Sequence, residues 1–256
     1  MEIEDNTVIG MVHLLPLPGS PNHKDMSQVV GSALEDVRSL EEGGVDALIV
    51  ENYGDKPYRK TISDKTRSAF TDICEEIGDE TTLPIGVNVL RNDWRSALRI
   101  SDELDLSFIR VNVYTGVTLT DQGIIEGEAA QIQSFKDMNS IRTSIFADIH
   151  VKHGKTVYPD KIETAAEDAV KRGSSDTIIV SGPRTGEPVD IEGLKAVKEK
   201  VDVPVLVGSG VRLSNVNEIL QHSNGAIVGT AFKYGSITEN KVSRTRVDNF
   251  IRLFKG

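Results

Sequence analysis

The feature that most constrains this chain is a recurrence. Eight short apolar, β-branched runs, at residues 8–12, 47–50, 85–89, 108–113, 144–151, 177–180, 205–207 and 226–228, alternate with amphipathic, charge-rich stretches such as 29–43 and 161–173. Runs without internal polar alternation suit strands buried on both faces, and strands alternating with helical patterns imply βαβ units and a parallel sheet. Eight units spaced roughly 20 to 40 residues apart suit a closed barrel better than an open sheet. Glycines in Glu41-Glu42-Gly43-Gly44, Lys171-Arg172-Gly173 and His222-Ser223-Asn224-Gly225 stand just before a run, where a helix C-cap belongs. No linker interrupts the pattern. The expectation is an α/β fold, a single-domain (β/α)8 TIM barrel over residues 1–256.

Charge narrows the function. Acidic residues outnumber basic ones, 39 to 29, for a formal net charge of -10. Broad nucleic-acid binding needs a basic footprint, so no nucleic-acid partner is expected. No apolar run approaches the roughly 18 residues of a membrane span, and no basic-then-apolar leader opens the chain. The protein is therefore expected to be cytoplasmic, without a transmembrane segment. Cys74, the one cysteine, excludes an intrachain disulfide and reads as a packed thiol.

In such a barrel the chemistry gathers at the C-terminal ends of the strands. Those ends carry His13, Glu51, Asn88, Asn112, Asp148 with His150, Ser181, Gly208-Ser209 and Gly229-Thr230. Residues two apart share a strand face, so Arg110 joins Asn112, and Phe146, Asp148, His150 and Lys152 fall together. Polar groups at this many strand ends point to a ligand pocket.

The seventh and eighth runs end in Gly208-Ser209-Gly210 and Gly229-Thr230. Glycines there let backbone N–H groups approach an anion, and barrels often hold a substrate phosphate between these loops. The expected partner is a small phosphorylated ligand. Gly182 in the sixth loop, Ser181-Gly182-Pro183-Arg184-Thr185-Gly186, extends the cup, and Arg184 offers a guanidinium fork.

Asp148 and His150 form the sharpest acid–base signal. Two alternatives stay open: a structural hydrogen-bonded pair, or a divalent metal held by Asp148, His150 and Glu51, with His13 nearby. Lys152 could form a Schiff base, bind an anion or snorkel from the rim; its sequence neighbours give no sign of desolvation. His153 reads as a loop residue or a helix start. Loop two, residues 52–59, reads as a rim over substrate, and loop four, residues 115–127, as a glycine-hinged lid. Asp93 caps a helix beginning at Trp94.

Several blocks resemble one family. The opening Gly10-Met11-Val12-His13-Leu14-Leu15-Pro16-Leu17-Pro18-Gly19-Ser20-Pro21, the block at 120–127 (TDQGIIEG) and those at 46–55, 86–93, 108–112, 146–153 and 205–211 are similar to the BtpA/SgcQ family, in order along nearly the whole chain. The resemblance implies a ribulose-phosphate-binding type of barrel. For activity it implies two branches, photosystem I biogenesis at the thylakoid and sugar uptake and metabolism, with a nucleoside triphosphatase label on some members. At 181–186 the chain departs from the family pattern of Thr-Gly followed by small residues, and Arg184 there bears on the substrate.

Residues and resemblance together lead to an enzyme acting on a small phosphorylated sugar or nucleoside-derived phosphate by isomerase-, epimerase- or lyase-like acid–base chemistry. Catalysis falls to Asp148, His150, Glu51 and Lys152. Binding falls to His13, Asn88, Arg110, Asn112, Gly182, Arg184, Gly208, Ser209, Gly210, Gly229 and Thr230. The alternatives are a non-catalytic assembly factor for a membrane complex and a nucleoside phosphate hydrolase; the latter lacks a Gly-x-x-x-x-Gly-Lys-[Ser/Thr] loop. A homo-oligomer is compatible with such a barrel.

Overall fold

The structure, a computed structural model, describes residues 1–184 and 187–255. Eleven strands follow in chain order: β1 (Thr7–His13), β2 (Ala47–Glu51), β3 (Ile85–Asn88), β4 (Phe108–Val111), β5 (Val117–Thr120), β6 (Gly123–Glu126), β7 (Ser144–Ile149), β8 (Gly154–Tyr158), β9 (Thr177–Val180), β10 (Val205–Val207) and β11 (Gly225–Val228). Eight of them close into a parallel barrel in the order β1-β11-β10-β9-β7-β4-β3-β2. Closure is made at β1, which pairs with β11 from Thr7↔Gly225 and with β2 up to His13↔Glu51. The helices are α1 (Met26–Glu42), α2 (Asp64–Glu80), α3 (Trp94–Glu103), α4 (Ala129–Asn139), α5 (Ile162–Glu167), α6 (Ile191–Lys200), α7 (Val216–Leu220) and α8 (Arg244–Lys255). The barrel expected from the eight runs is the fold observed.

Two-residue alternation divides each strand's work. Ile9, Met11, Ala47, Ile49, Phe108, Phe146, Ile179, Leu206 and Ile227 fill the barrel interior. Their neighbours, such as Val8, Val12, Leu48 and Val50, pack outward on the helix layer. Phe108 and Phe146 stack at 4.2 Å between ring centroids. A Cβ at Gly86 would overlap the Phe108 ring, so that strand carries glycine where the aromatic pair takes the space. Side-chain caps set several helix starts: Asp25, Ser63, Asp93 and Asp190 each accept a hydrogen bond from a first-turn N–H. Asp93 thus caps the helix at Trp94 as expected. Cys74 is a buried free thiol, pushed up from its usual pKa by burial alone.

Two local expectations are corrected. Loop four is not an open lid: its two arms are β5 and β6, which join β8 in a three-stranded antiparallel sheet ordered β6-β5-β8. Gly225 is no helix cap but the first residue of β11, where a Cβ would overlap the backbone of Thr7. Gly43 does end α1, with Gly44 following at φ 91°.

One buried charge pair ties the C-terminal segment to the helix layer. Lys233 Nζ donates to Asp36 Oδ2 at 2.5 Å, and Asp36 Oδ1 accepts from the Val242 N–H at 2.7 Å. Removing one partner leaves the other charge buried and uncompensated. Asp36→Ala is expected to lower unfolding stability by about 3–5 kcal/mol, read as a lower urea midpoint. A shift worth less than about 1 kcal/mol would show that the pair is dispensable.

Candidate functional site

The interior changes character at the C-terminal ends of the strands. Above the apolar filling, Glu51, Asn88, Arg110, Asn112 and Asp148 are all buried. Arg110 grips Asp148 in a fork, Nε to Oδ2 and Nη2 to Oδ1, both at 2.8 Å, and Asn112 Nδ2 donates to Oδ2 at 2.8 Å. Burial works against the Arg110 charge, but the Asp148 carboxylate outweighs it and holds the guanidinium firmly protonated. Asn88 Nδ2 donates to Glu51 Oε2 at 2.7 Å. His13 Nε2 stands 3.8 Å from Glu51 Oε1. Burial first, then the positive charges of Lys233, Lys152, Lys56 and Arg110, push His13 well below the usual histidine range, so its ring is neutral.

Several of these groups are left with unused capacity. His13 Nδ1, Asn88 Oδ1, Asn112 Oδ1 and Ser181 Oγ are buried with no hydrogen-bond partner among the described residues. Buried polar atoms without partners are uncommon, and such a cluster at one end of a barrel marks where a ligand's polar groups belong.

The expected face of Asp148, His150 and Lys152 is broken. Strand β7 stops at Ile149, and His150 takes a left-handed φ of 51°, which ends the two-residue alternation. The His150 ring turns to the Pro159 carbonyl, Nε2 at 3.0 Å from the oxygen, and does not line the cavity that Glu51 lines. Asp148, His150 and Glu51 are therefore not brought together. Among the described residues no group of three His, Cys, Asp or Glu side chains is placed to hold a metal. Lys152 does reach the cavity. Its amine is lowered from the usual lysine range, chiefly by burial and then by Arg110, so the desolvation its sequence did not signal is present.

On the opposite side, Gly208, Ser209, Gly210, Gly229 and Thr230 line the same cavity. Gly210 has φ 72°, and a Cβ there would overlap the Glu187 backbone, so the turn admits only glycine without strain. A Cβ at Gly208 would lie 3.2 Å from Arg110 Nη2, which places the bare backbone over the guanidinium. Gly182 N donates to Ser209 Oγ at 3.1 Å, tying the sixth loop to the seventh. Arg184 lines the cavity; Thr185 and Gly186 lie outside the described residues.

The cavity measures about 1610 Å³. Loop two closes one side with Tyr53, Lys56 and Tyr58, the Tyr53 ring 4.7 Å from that of His13. Groups that residue pattern did not single out also face it: Arg91, Asp121, His153, Arg212, Glu239 and Arg246. Arg91 follows the third run, and Arg212 and Arg246 lie beyond the strand ends, where alternation gives no guidance. Seven lining side chains are cationic, against the four carboxylates Glu51, Asp121, Glu187 and Glu239. A chain with a net charge of -10 therefore has a mouth of the opposite sign, even with Arg110 neutralised by Asp148.

Comparison with known proteins gives the family and the fold. The family model described as the BtpA family matches residues 4–256. The chain belongs to the BtpA family. An uncharacterized protein of Pyrococcus horikoshii is 44% identical over all of this chain and 98% of its own length. The photosystem I biogenesis protein BtpA of Synechocystis is 40% identical over 96% of this chain and 87% of its own. Among solved structures, N-(5'-phosphoribosyl)anthranilate isomerase of Pyrococcus furiosus superposes with a TM-score of 0.60 at 14% identity, covering 98% of each chain. That likeness is one of fold. No helix among the described residues is long and apolar enough to cross a membrane.

The lowered Lys152 amine has a thermodynamic consequence. Between its folded pKa and the ordinary lysine value the unfolded chain binds more protons, so wild-type stability rises with pH across that window. Lys152→Met removes this dependence. The variant should melt above wild type at the acid end of a scan from about pH 6 to 10.5, with the gap closing toward the ordinary lysine value of about 10.4. A gap that did not change with pH would show that the folded protein leaves the amine unperturbed.

Proposed function

We propose that this barrel is a cytoplasmic enzyme acting on a small phosphorylated sugar or nucleoside-derived phosphate, by isomerase-, epimerase- or lyase-like proton transfer. One observation carries the reading: the Gly208–Gly210 and Gly229–Thr230 turns and the Glu51–Lys152 floor share one basic cavity. The turns suit a phosphate, since bare backbone N–H groups and Arg184 favour negative charge there. Glu51, held by Asn88 and facing a neutral His13, is the carboxylate free to move a proton. Asp148 supports this by holding Arg110, whose remaining donors suit a developing oxyanion. Asn88 Oδ1 and Asn112 Oδ1 would accept from substrate hydroxyls. The superposed isomerase is named for a phosphoribosyl compound, which is in keeping with a phosphate at this end of the barrel.

A second reading rests on the cyanobacterial relative, whose name assigns it to photosystem I biogenesis. An assembly factor has no use for a carboxylate in a buried cavity, so the two readings diverge at Glu51. The nucleoside phosphate hydrolase alternative shares the anion cup and is separated from the first by the product formed.

Phosphorylated sugars and nucleotides should raise the melting midpoint where their unphosphorylated counterparts do not. Arg184→Ala should weaken the bound ligand about tenfold, the worth of one charge-assisted hydrogen bond. Glu51→Gln should lower turnover of that ligand by about 10²–10⁴ while the ligand still binds. If no phosphate-bearing compound shifted the midpoint, or Glu51→Gln kept full turnover, the enzyme reading would be lost.

A further inference from the structure

Lys152 is half-buried at the cavity and is held differently from two fully buried cations of the fold. Lys233 is matched by Asp36 at 2.5 Å and Arg110 by Asp148 at 2.8 Å. No carboxylate among the described residues stands within salt-bridge distance of Lys152 Nζ, although Glu51 lines the same cavity. Its backbone is fixed from both sides. Val151 is buried with Val113 and Ile125, Arg91 Nη2 donates to the Lys152 carbonyl at 2.7 Å, and His153 N donates to the Pro183 carbonyl at 3.1 Å. A long flexible side chain is thus launched into the cavity from a fixed point, among the Arg110 and Arg91 guanidiniums and the Glu51 and Asp148 carboxylates, with no carboxylate in ion-pair contact. A lysine that serves as a nucleophile needs its amine uncharged.

We propose that Lys152 forms an imine with the carbonyl carbon of a phosphorylated aldose or ketose, so that the substrate class is a sugar phosphate with a free aldehyde or ketone. The inference rests on the phosphate-ester reading above. In the step, Nζ bonds the carbonyl carbon, both amine protons pass to the carbonyl oxygen, and that oxygen leaves as water. C=N replaces C=O with no change of oxidation state. Burial and the neighbouring Arg110 and Arg91 charges, which lower the amine, favour the uncharged form that attacks. The imine nitrogen takes one proton from solvent water, the resulting iminium draws electrons from the adjacent C–H or C–C bond, and Glu51 is the group across the cavity to take or return the substrate proton.

The test is reductive trapping on the full chain with sodium borohydride. The probes are D-glyceraldehyde 3-phosphate and D-ribose 5-phosphate, with unphosphorylated glyceraldehyde as control, read by intact mass and peptide mapping. One adduct per chain, mapped to Lys152 and suppressed by inorganic phosphate, is the expected result. Lys152→Arg keeps the charge and, by its melting curve, the fold, and should lose the adduct about tenfold or more. Adducts spread over exposed lysines, equal in wild type and Lys152→Arg, would overturn the imine. If both phosphates raise the melting midpoint yet neither is trapped, the imine falls and the phosphate site stands. If the control aldehyde is trapped at Lys152 as readily as its phosphate and neither phosphate shifts the midpoint, the phosphate reading falls instead.

Discussion

Everything in this molecule depends on what a closed parallel barrel does with its interior. Once β1 pairs with both β11 and β2, every second side chain of eight strands must share one narrow column. Column space is limited, so the stacked rings of Phe108 and Phe146 require a glycine at 86. The same geometry buries the next inward residues, Glu51, Asn88, Arg110 and Asp148, at the strand ends. The site is thus the last layer of the core with its chemistry changed. It inherits the rigidity of close-packed side chains below it.

Charges in such a layer are costly unless matched. Arg110 and Asp148 meet that cost mutually, with Asn112 taking part of the remaining lone-pair capacity. Glu51 is less fully matched, with one amide donor and a neutral imidazole 3.8 Å away. The arrangement separates two buried carboxylates: Asp148 is committed to holding a guanidinium, and Glu51 retains an oxygen toward the cavity. Residue type alone cannot reveal this division, because the partner that decides it comes from another strand.

That contrast explains what the sequence made legible. The barrel could be read because each strand is buried on both faces and appears as an unbroken apolar run. The polar strand ends and the two glycine turns could be read because alternation fixes which residues rise to the mouth. Alternation failed at His150, where one left-handed backbone angle redirects the chain; nothing in Asp148-Ile149-His150 announces it. The sheet of β5, β6 and β8 was missed because its strands are short and largely exposed, and two of them open on a glycine, Gly123 and Gly154, so they read as polar loop. The lowered amine of Lys152 was hidden for a similar reason, since the packing that buries it and the Arg110 charge that faces it come from elsewhere in the sequence.

The β6-β5-β8 sheet joins segments that leave the barrel after two different strands, β4 and β7. Lys60, just past loop two, donates to the Ile124 carbonyl at 2.6 Å, and Arg91 reaches from the third strand's loop to the Lys152 carbonyl. In many barrels each loop can be exchanged without disturbing the others, and new specificities arise one loop at a time. Here four loops are stitched together over one mouth. An insertion in any of them changes the fit of the rest, so descendants of this chain would alter their ligand by concerted replacement of the whole canopy, or by single side chains within it.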